Sequence, residues 1–281
     1  MTFRFMHAKW LVKKPIGILK SSAISDVIKK LIENNLSRLV VLDSGKPIGI
    51  ISEKDMGLFL FSDSDKFGLD KIPLAKLMNK IEYVDRDTSI EKCAKVLIDK
   101  KISSQCTVDE NDHLGIFTKT DLVRYYSENF VGKHKVADFM THHYVSTHNA
   151  TPLFKVVKKM LENKISRIIT KNQSEQPDGV VSFRDLFRIS LELGNEEDDD
   201  SFALSDQIRR GFLSENGFGG ISLAKDVMSK GIITVKFSED LNTACKTMLN
   251  NNVSGLGVLD GNNGFAGVIS KTDITRVLSS M

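Results

Sequence analysis

One heptapeptide pattern recurs four times along the 281 residues, so the chain must fold as a set of like units rather than around one continuous core. The copies are Gly49–Asp55 (GIISEKD), Gly115–Asp121 (GIFTKTD), Gly179–Asp185 (GVVSFRD) and Gly267–Asp273 (GVISKTD). Each reads glycine, two apolar residues, serine or threonine, two variable residues and aspartate. One copy alone would carry little information. Four copies in register with further features carry a great deal.

Upstream of each copy lies a helical stripe with apolar residues at i, i+3, i+4, i+7 and i+8. The stripes are Ile24, Val27, Ile28, Leu31 and Ile32; Ile90, Cys93, Ala94, Leu97 and Ile98; Leu153, Val156, Val157, Met160 and Leu161; and Leu241, Ala244, Cys245, Met248 and Leu249. Thr88 with Glu91 predicts a capping box on the second helix, and Pro152 suits the first turn of the third. Ser37, Ser103, Ser166 and Ser254 each follow their stripe's first residue by 13 positions, and the motif aspartates follow those serines by 18, 18, 19 and 19. Two β-rich runs split by a turn fill each interval, and a helical pattern such as DLVRYY or DITRVL resumes after each aspartate.

The unit is strand, helix, strand, strand, helix, which sets the fold class as α/β (α+β). The expected boundaries are 1–64, 70–130, 131–192 and 221–281, with an acidic insertion at 193–220 that carries Glu196, Glu197, Asp198, Asp199 and Asp200. That run reads as a solvated loop, and SFALSDQIRRGFL after it as a short helix. A unit of this size buries too little by itself, so units should pair.

A hydrophobic content of 41%, a charged content of 27% and a net charge of +3 describe a globular chain without the clustered basic residues of a nucleic-acid surface. Cys93, Cys106 and Cys245 are sparse and widely spaced, which fits free thiols in a reducing compartment. The start lacks an uninterrupted apolar segment, and no stretch approaches the roughly 18 apolar residues of a membrane span. The expectation is an intracellular, cytoplasmic protein off the membrane. His134, His142, His143 and His148, spaced eight, one and five apart, match no usual metal-ligand pattern. No nucleophile elbow, P-loop or HExxH is present, so an enzyme is not expected.

Taken together, the repeats resemble the CBS domain, named for cystathionine β-synthase. Four copies resemble two tandem pairs, or Bateman modules, as in the γ subunit of AMP-activated protein kinase, where two pairs form a flat disc. Lead-in segments fit as well: AKWLV at 8–12, AKLM at 75–78, ADFM at 137–140 and AKDVM at 224–228. The resemblance implies that consecutive units pack through their sheets and bind adenosine-containing ligands in the clefts. In the family pattern the motif aspartate accepts hydrogen bonds from the ribose diol, with the hydroxyl three residues earlier assisting. Here those pairs are Ser52/Asp55, Thr118/Asp121, Ser182/Asp185 and Ser270/Asp273.

Arg38 after Ser37, and Arg167 after Ser166, stand where the family places a phosphate-binding cation, and a guanidinium offers two parallel donors for that task. The second and fourth units carry Ser104 and Gly255 instead. Units one and three are therefore the favoured sites. Lys54, Lys119, Arg184 and Lys271 are secondary phosphate candidates. Adenine contacts are implied from the paired unit: Tyr83 and Val84 for the first site, Ile233 and Thr234 for the third. An Asp or Ser at a strand-to-helix junction is also a good N-cap, and that alone would explain the motif.

Three functions stay open. One is a stand-alone regulatory sensor that binds AMP, ADP or ATP as ligand, with no catalytic cofactor or metal, and modulates an unidentified protein target. Another is a binder of S-adenosylmethionine or a similar adenosyl compound. The third is a ligand-free scaffold for protein or nucleic acid. A homodimer is one oligomeric state consistent with this arrangement.

Overall fold

The computed structural model describes residues 7–62, 74–192 and 212–281. The acidic run and nearly all of SFALSDQIRRGFL lie outside the described residues. Where the chain resumes, Phe212 stacks on Phe218 and the Leu213 N–H donates to the Leu60 carbonyl at 2.9 Å.

All four repeats adopt the expected order. The first contains β1 (Gly17–Leu19), α1 (Ile24–Glu33), β2 (Arg38–Asp43), β3 (Lys46–Ser52) and α2 (Glu53–Phe61). The second contains α3 (Ile90–Asp99), β4 (Ser104–Val108), β5 (Leu114–Thr118) and α4 (Lys119–Asn129), its opening strand reduced to a parallel bridge between Tyr83 and Cys106. The third contains β6 (Ser146–His148), α5 (Leu153–Glu162), β7 (Arg167–Lys171), β8 (Pro177–Ser182) and α6 (Phe183–Glu192). After β9 (Ser229–Lys230), the fourth contains β10 (Thr234–Lys236), α7 (Leu241–Asn250), β11 (Gly255–Leu259), β12 (Phe265–Ser270) and α8 (Lys271–Ser279). In repeats one, three and four the first strand runs parallel to the second, and in all four the second pairs antiparallel with the third.

In place of the predicted capping box at Thr88 and Glu91, a single N-cap bond forms one residue later. The N-cap of α3 is Ser89, whose hydroxyl accepts from the Lys92 N–H at 3.4 Å, because helical geometry begins at Ile90. Pro152 is the residue just before α5, where its missing N–H costs nothing.

The chain divides into two compact bodies. One holds residues 16–80 and 145–231, hence repeats one and three, and is called here the odd body. The even body holds 1–15, 81–144 and 232–281, hence repeats two and four. In the odd body α1 packs on α6 and α2 on α5, closing a core that includes Ile24, Leu31, Met56, Val156, Met160 and Phe187. In the even body α3 packs on α8 and α4 on α7, around Ile90, Leu97, Tyr126, Leu241 and Ile274. Each body thus joins alternate repeats through their helices, a partnership absent from the tandem reading. Gly57 makes it close in the odd body: a Cβ there would lie 2.2 Å from the Phe183 ring.

The stripes predicted from sequence supply these cores, Cys93 and Cys245 among them. Burial pushes both thiols up to about 12, so they stay protonated and act as small apolar groups. Cys106 is buried as well.

Repeat two departs from the others in its central strand. Where repeats one, three and four put Leu39, Ile168 and Leu256 into their cores, it puts Gln105, 1% exposed, whose Oε1 has no hydrogen-bond partner among the described residues. Two residues on, the Thr107 hydroxyl is also buried without a partner, whereas the equivalent Thr170 donates to Asp178 at 2.8 Å. An unsatisfied buried polar atom costs about 1–3 kcal/mol. Gln105→Leu should therefore stabilise the protein by about 1–2 kcal/mol in chemical denaturation. A destabilised variant would show that the amide makes a bond the packing does not reveal.

Candidate functional site

The motif of each repeat sits where a hairpin runs into a helix. The strand register puts Arg38 opposite Ser52, Ser104 opposite Thr118, Arg167 opposite Ser182 and Gly255 opposite Ser270. Directly opposed residues have Cβ atoms about 5 Å apart, so in repeats one and three an arginine stem stands beside the motif hydroxyl. The fixed serine one residue earlier also has a use in all four repeats. The carbonyls of Ser37, Ser103, Ser166 and Ser254 accept the first N–H of the motif helix, from Glu53, Lys119, Phe183 and Lys271, at 3.0–3.3 Å.

The aspartates do act as caps. In every repeat the N–H and the side-chain hydroxyl of the Ser or Thr both donate to Oδ2 of the aspartate: 2.8 and 2.6 Å at Ser52/Asp55, 2.9 and 2.9 Å at Thr118/Asp121, 2.8 and 2.6 Å at Ser182/Asp185, and 2.8 and 2.6 Å at Ser270/Asp273. This is one arm of a capping box, with aspartate where glutamate is usual. It orients the carboxylate and occupies one of its two oxygens.

The second oxygen separates the bodies. In the odd body it is held by neutral donors, Asn79 Nδ2 on Asp55 at 2.9 Å and Ser229 Oγ on Asp185 at 3.0 Å, and both aspartates are partly exposed. In the even body it is held by cations. Lys13 Nζ lies 2.5 Å from Asp121 Oδ1, and Arg276 Nη1 donates to Asp273 Oδ1 at 2.7 Å with Thr141 at 3.4 Å. Asp121 and Asp273 are each only 4% exposed. A new ligand at an even aspartate must break an ion pair on a buried carboxylate, whereas at an odd one it must displace a neutral hydrogen bond.

Lys13, Asn79, Thr141 and Ser229 each directly follow a lead-in segment, and the motif's leading glycine explains how they reach the carboxylates. A Cβ on Gly49 would lie 2.7 Å from Met78 Sδ, on Gly115 2.0 Å from Val12 Cγ1, on Gly179 2.7 Å from the Ser229 carbonyl oxygen and on Gly267 2.5 Å from the Thr141 carbonyl oxygen. The glycine is the bare place on the strand where the lead-in docks. Bridges from Ile50 to Asn79, Lys13 to Ile116 and Thr141 to Val268, with β9 alongside β8, complete the docking.

The odd body gathers positive charge. Burial lowers the Lys54 ammonium pKa below its usual value, and the nearby Arg167 and then Arg38 lower it further, against Asp55. Burial likewise lowers Arg167, with Arg184 adding to the effect and Glu53 and Asp185 opposing it. Glu53, 8% exposed, is paired with Arg184, which reaches Oε1 through Nη2 at 3.0 Å and Nε at 3.3 Å.

The four secondary candidates all reach across to the partner repeat of their own body. Arg184 meets Glu53, Asn35 and the Leu36 carbonyl, and Lys54 donates to the Lys164 carbonyl. Lys119 donates to Thr272 at 3.1 Å and Lys271 to Thr120 at 3.0 Å, a reciprocal pair. Tyr83, Val84, Ile233 and Thr234 lie in the even body, with Tyr83 and Ile233 exposed. His134 Nδ1 lies 2.7 Å from the Tyr126 hydroxyl, and the His148 Nδ1 accepts the Ala150 N–H. Among the described residues no group of three or more His, Cys, Asp or Glu side chains is placed to hold a metal, and no helix is long and apolar enough to cross a membrane.

Comparison with known proteins gives a consistent result. A family model described as the CBS domain matches residues 10–56, 74–128, 136–192 and 224–280. An uncharacterized protein of Methanocaldococcus jannaschii, MJ1225, is 21% identical over 280 residues, covering 94% of this chain and 95% of its own. The crystal structure of that protein, named as a candidate archaeal homologue of g-AMPK, superposes with a TM-score of 0.80 at 18% identity over 97% of this chain and 99% of the other. An uncharacterized conserved protein from Pyrococcus horikoshii gives a TM-score of 0.62 at 17% identity, over 97% and 100%.

Proposed function

The chain belongs to the CBS-domain family, and from that premise we propose that it is a regulatory protein whose first and third repeats bind an adenine nucleotide (AMP, ADP or ATP) and whose occupancy is read by a partner protein. The observation that carries this reading is the gathering of Arg38, Arg167 and Lys54 in the odd body beside two partly exposed aspartates whose Oδ1 atoms accept from the neutral side chains of Asn79 and Ser229. Phosphate would relieve that mutual repulsion, while an uncharged adenosyl ligand would leave it in place. The even repeats lack both arginines and hold their aspartates in ion pairs, so two of the four repeats are the ligand sites. Regulation then requires that nucleotide bind two states of the protein unequally.

Calorimetry with AMP, ADP, ATP, adenosine and S-adenosylmethionine tests the reading. AMP should bind and stabilise the protein against heat, and Asp55→Ala with Asp185→Ala should weaken it by about 10- to 100-fold as charged hydrogen bonds are lost. Because each aspartate is also a cap worth about 1 kcal/mol, Asp→Asn variants, which keep the cap's shape, serve beside the alanines. AMP affinity unchanged in both sets would leave the aspartates as caps alone.

A further inference from the structure

A carboxylate offers about four lone-pair positions. At Asp55 and Asp185, two on Oδ2 are taken by the Ser N–H and hydroxyl, and one on Oδ1 by Asn79 or Ser229. One remains, and a ribose diol needs two. We propose that the Asn79 and Ser229 side chains are clasps that a vicinal diol must displace, so that these lead-in residues set the affinity and sugar selectivity of the odd-body sites. This rests on the reading that a ribose sits at Asp55 and Asp185.

The lead-in can release the side chain without undocking. Asn79 exchanges backbone hydrogen bonds with Ile50 at 2.8 and 2.9 Å, and Ser229 sits in β9 paired with Val180. These bonds do not involve the carboxylate, so a single rotamer change suffices for Asn79 or Ser229. Both clasps also stand close to where the chain leaves the odd body, after residues 80 and 231. In the even body the corresponding places are occupied by Lys13 and by Thr141 with Arg276, and a charged clasp on a buried carboxylate does not yield to a neutral hydroxyl.

The test compares AMP with its 2′-deoxy analogue, which has one hydroxyl where AMP has two and so fits the single free position with the clasp closed. In the intact protein, Asn79→Ala with Ser229→Ala should tighten AMP by about 2- to 10-fold, the worth of a competing hydrogen bond, and leave the deoxy analogue unchanged. Equal changes for the two ligands, or weaker AMP binding, overturn the clasp. A wild-type protein that binds AMP, but in which the Asn79 side-chain amide proton resonances do not move on saturation, overturns it too, and that measurement needs no variant. A wild type that binds neither nucleotide overturns the functional reading and takes the clasp with it.

Discussion

Arg184→Ala should destabilise the odd body by about 3–5 kcal/mol, the cost of leaving a buried charge without its partner. Glu53 is 8% exposed, and its Oε1 accepts from both Nη2 and Nε of Arg184 at 3.0 and 3.3 Å. The same guanidinium caps the end of α1 by donating to the Leu36 carbonyl at 3.4 Å and to Asn35 Oδ1, so its removal also leaves two acceptors of a turn without their donor. The loss reflects the orphaned carboxylate more than any large net gain from the pair. Glu53→Gln combined with Arg184→Met should therefore recover most of it, and a double-mutant cycle by urea denaturation separates the two contributions. A single-variant loss below about 1 kcal/mol would mean that water reaches Glu53 and that the pair behaves as a surface bridge.

The repeat, its element order and the core positions were legible because periodicity depends only on local spacing, and Ile24, Val27, Ile28 and Leu31 fall on one face wherever the helix goes. The partner of that face was not legible. All four stripes look alike, so nothing within one repeat says that α1 packs on α6 or that α3 packs on α8. The same blindness affects the cations. Lys119 and Arg184 stand at motif positions that suit phosphate, yet in the structure they tie one repeat to its alternate, through Thr272 and Glu53. The leading glycine was visible in every copy, but its reason was not, because what it admits is a segment distant in sequence in every repeat, such as Thr141 against Gly267. Glycine in all four copies, always six residues before the aspartate, was the available signal: two positions fixed together on one hairpin mark the place where another segment docks. The one-residue error at Thr88 and Ser89 has a simpler cause, since either hydroxyl can cap and only the backbone at Ile90 decides.

Arg38→Ala with Arg167→Ala should weaken AMP binding by about 10- to 100-fold at each site while changing adenosine binding by no more than about 3-fold. Each arginine stands directly across the hairpin from a motif hydroxyl, Arg38 from Ser52 and Arg167 from Ser182, so each takes the equivalent place in its own repeat. A charge-assisted bond to phosphate contributes about 1.5–3 kcal/mol, and the double variant removes one such bond from each site. Adenosine carries the ribose and base without the anion, so it reports in the same variant whether the sites are still folded. Arg→Lys should recover only part of the loss, because a lysine cannot reproduce the planar two-donor fork. The neighbouring Lys54 provides a second readout. Its pKa is held down by burial first and then by Arg167 and Arg38, so it should rise both when phosphate binds the wild type and when the two arginines are removed. If adenosine and AMP weaken together, the arginines serve the fold of the odd body, and the phosphate has to be held elsewhere or not at all.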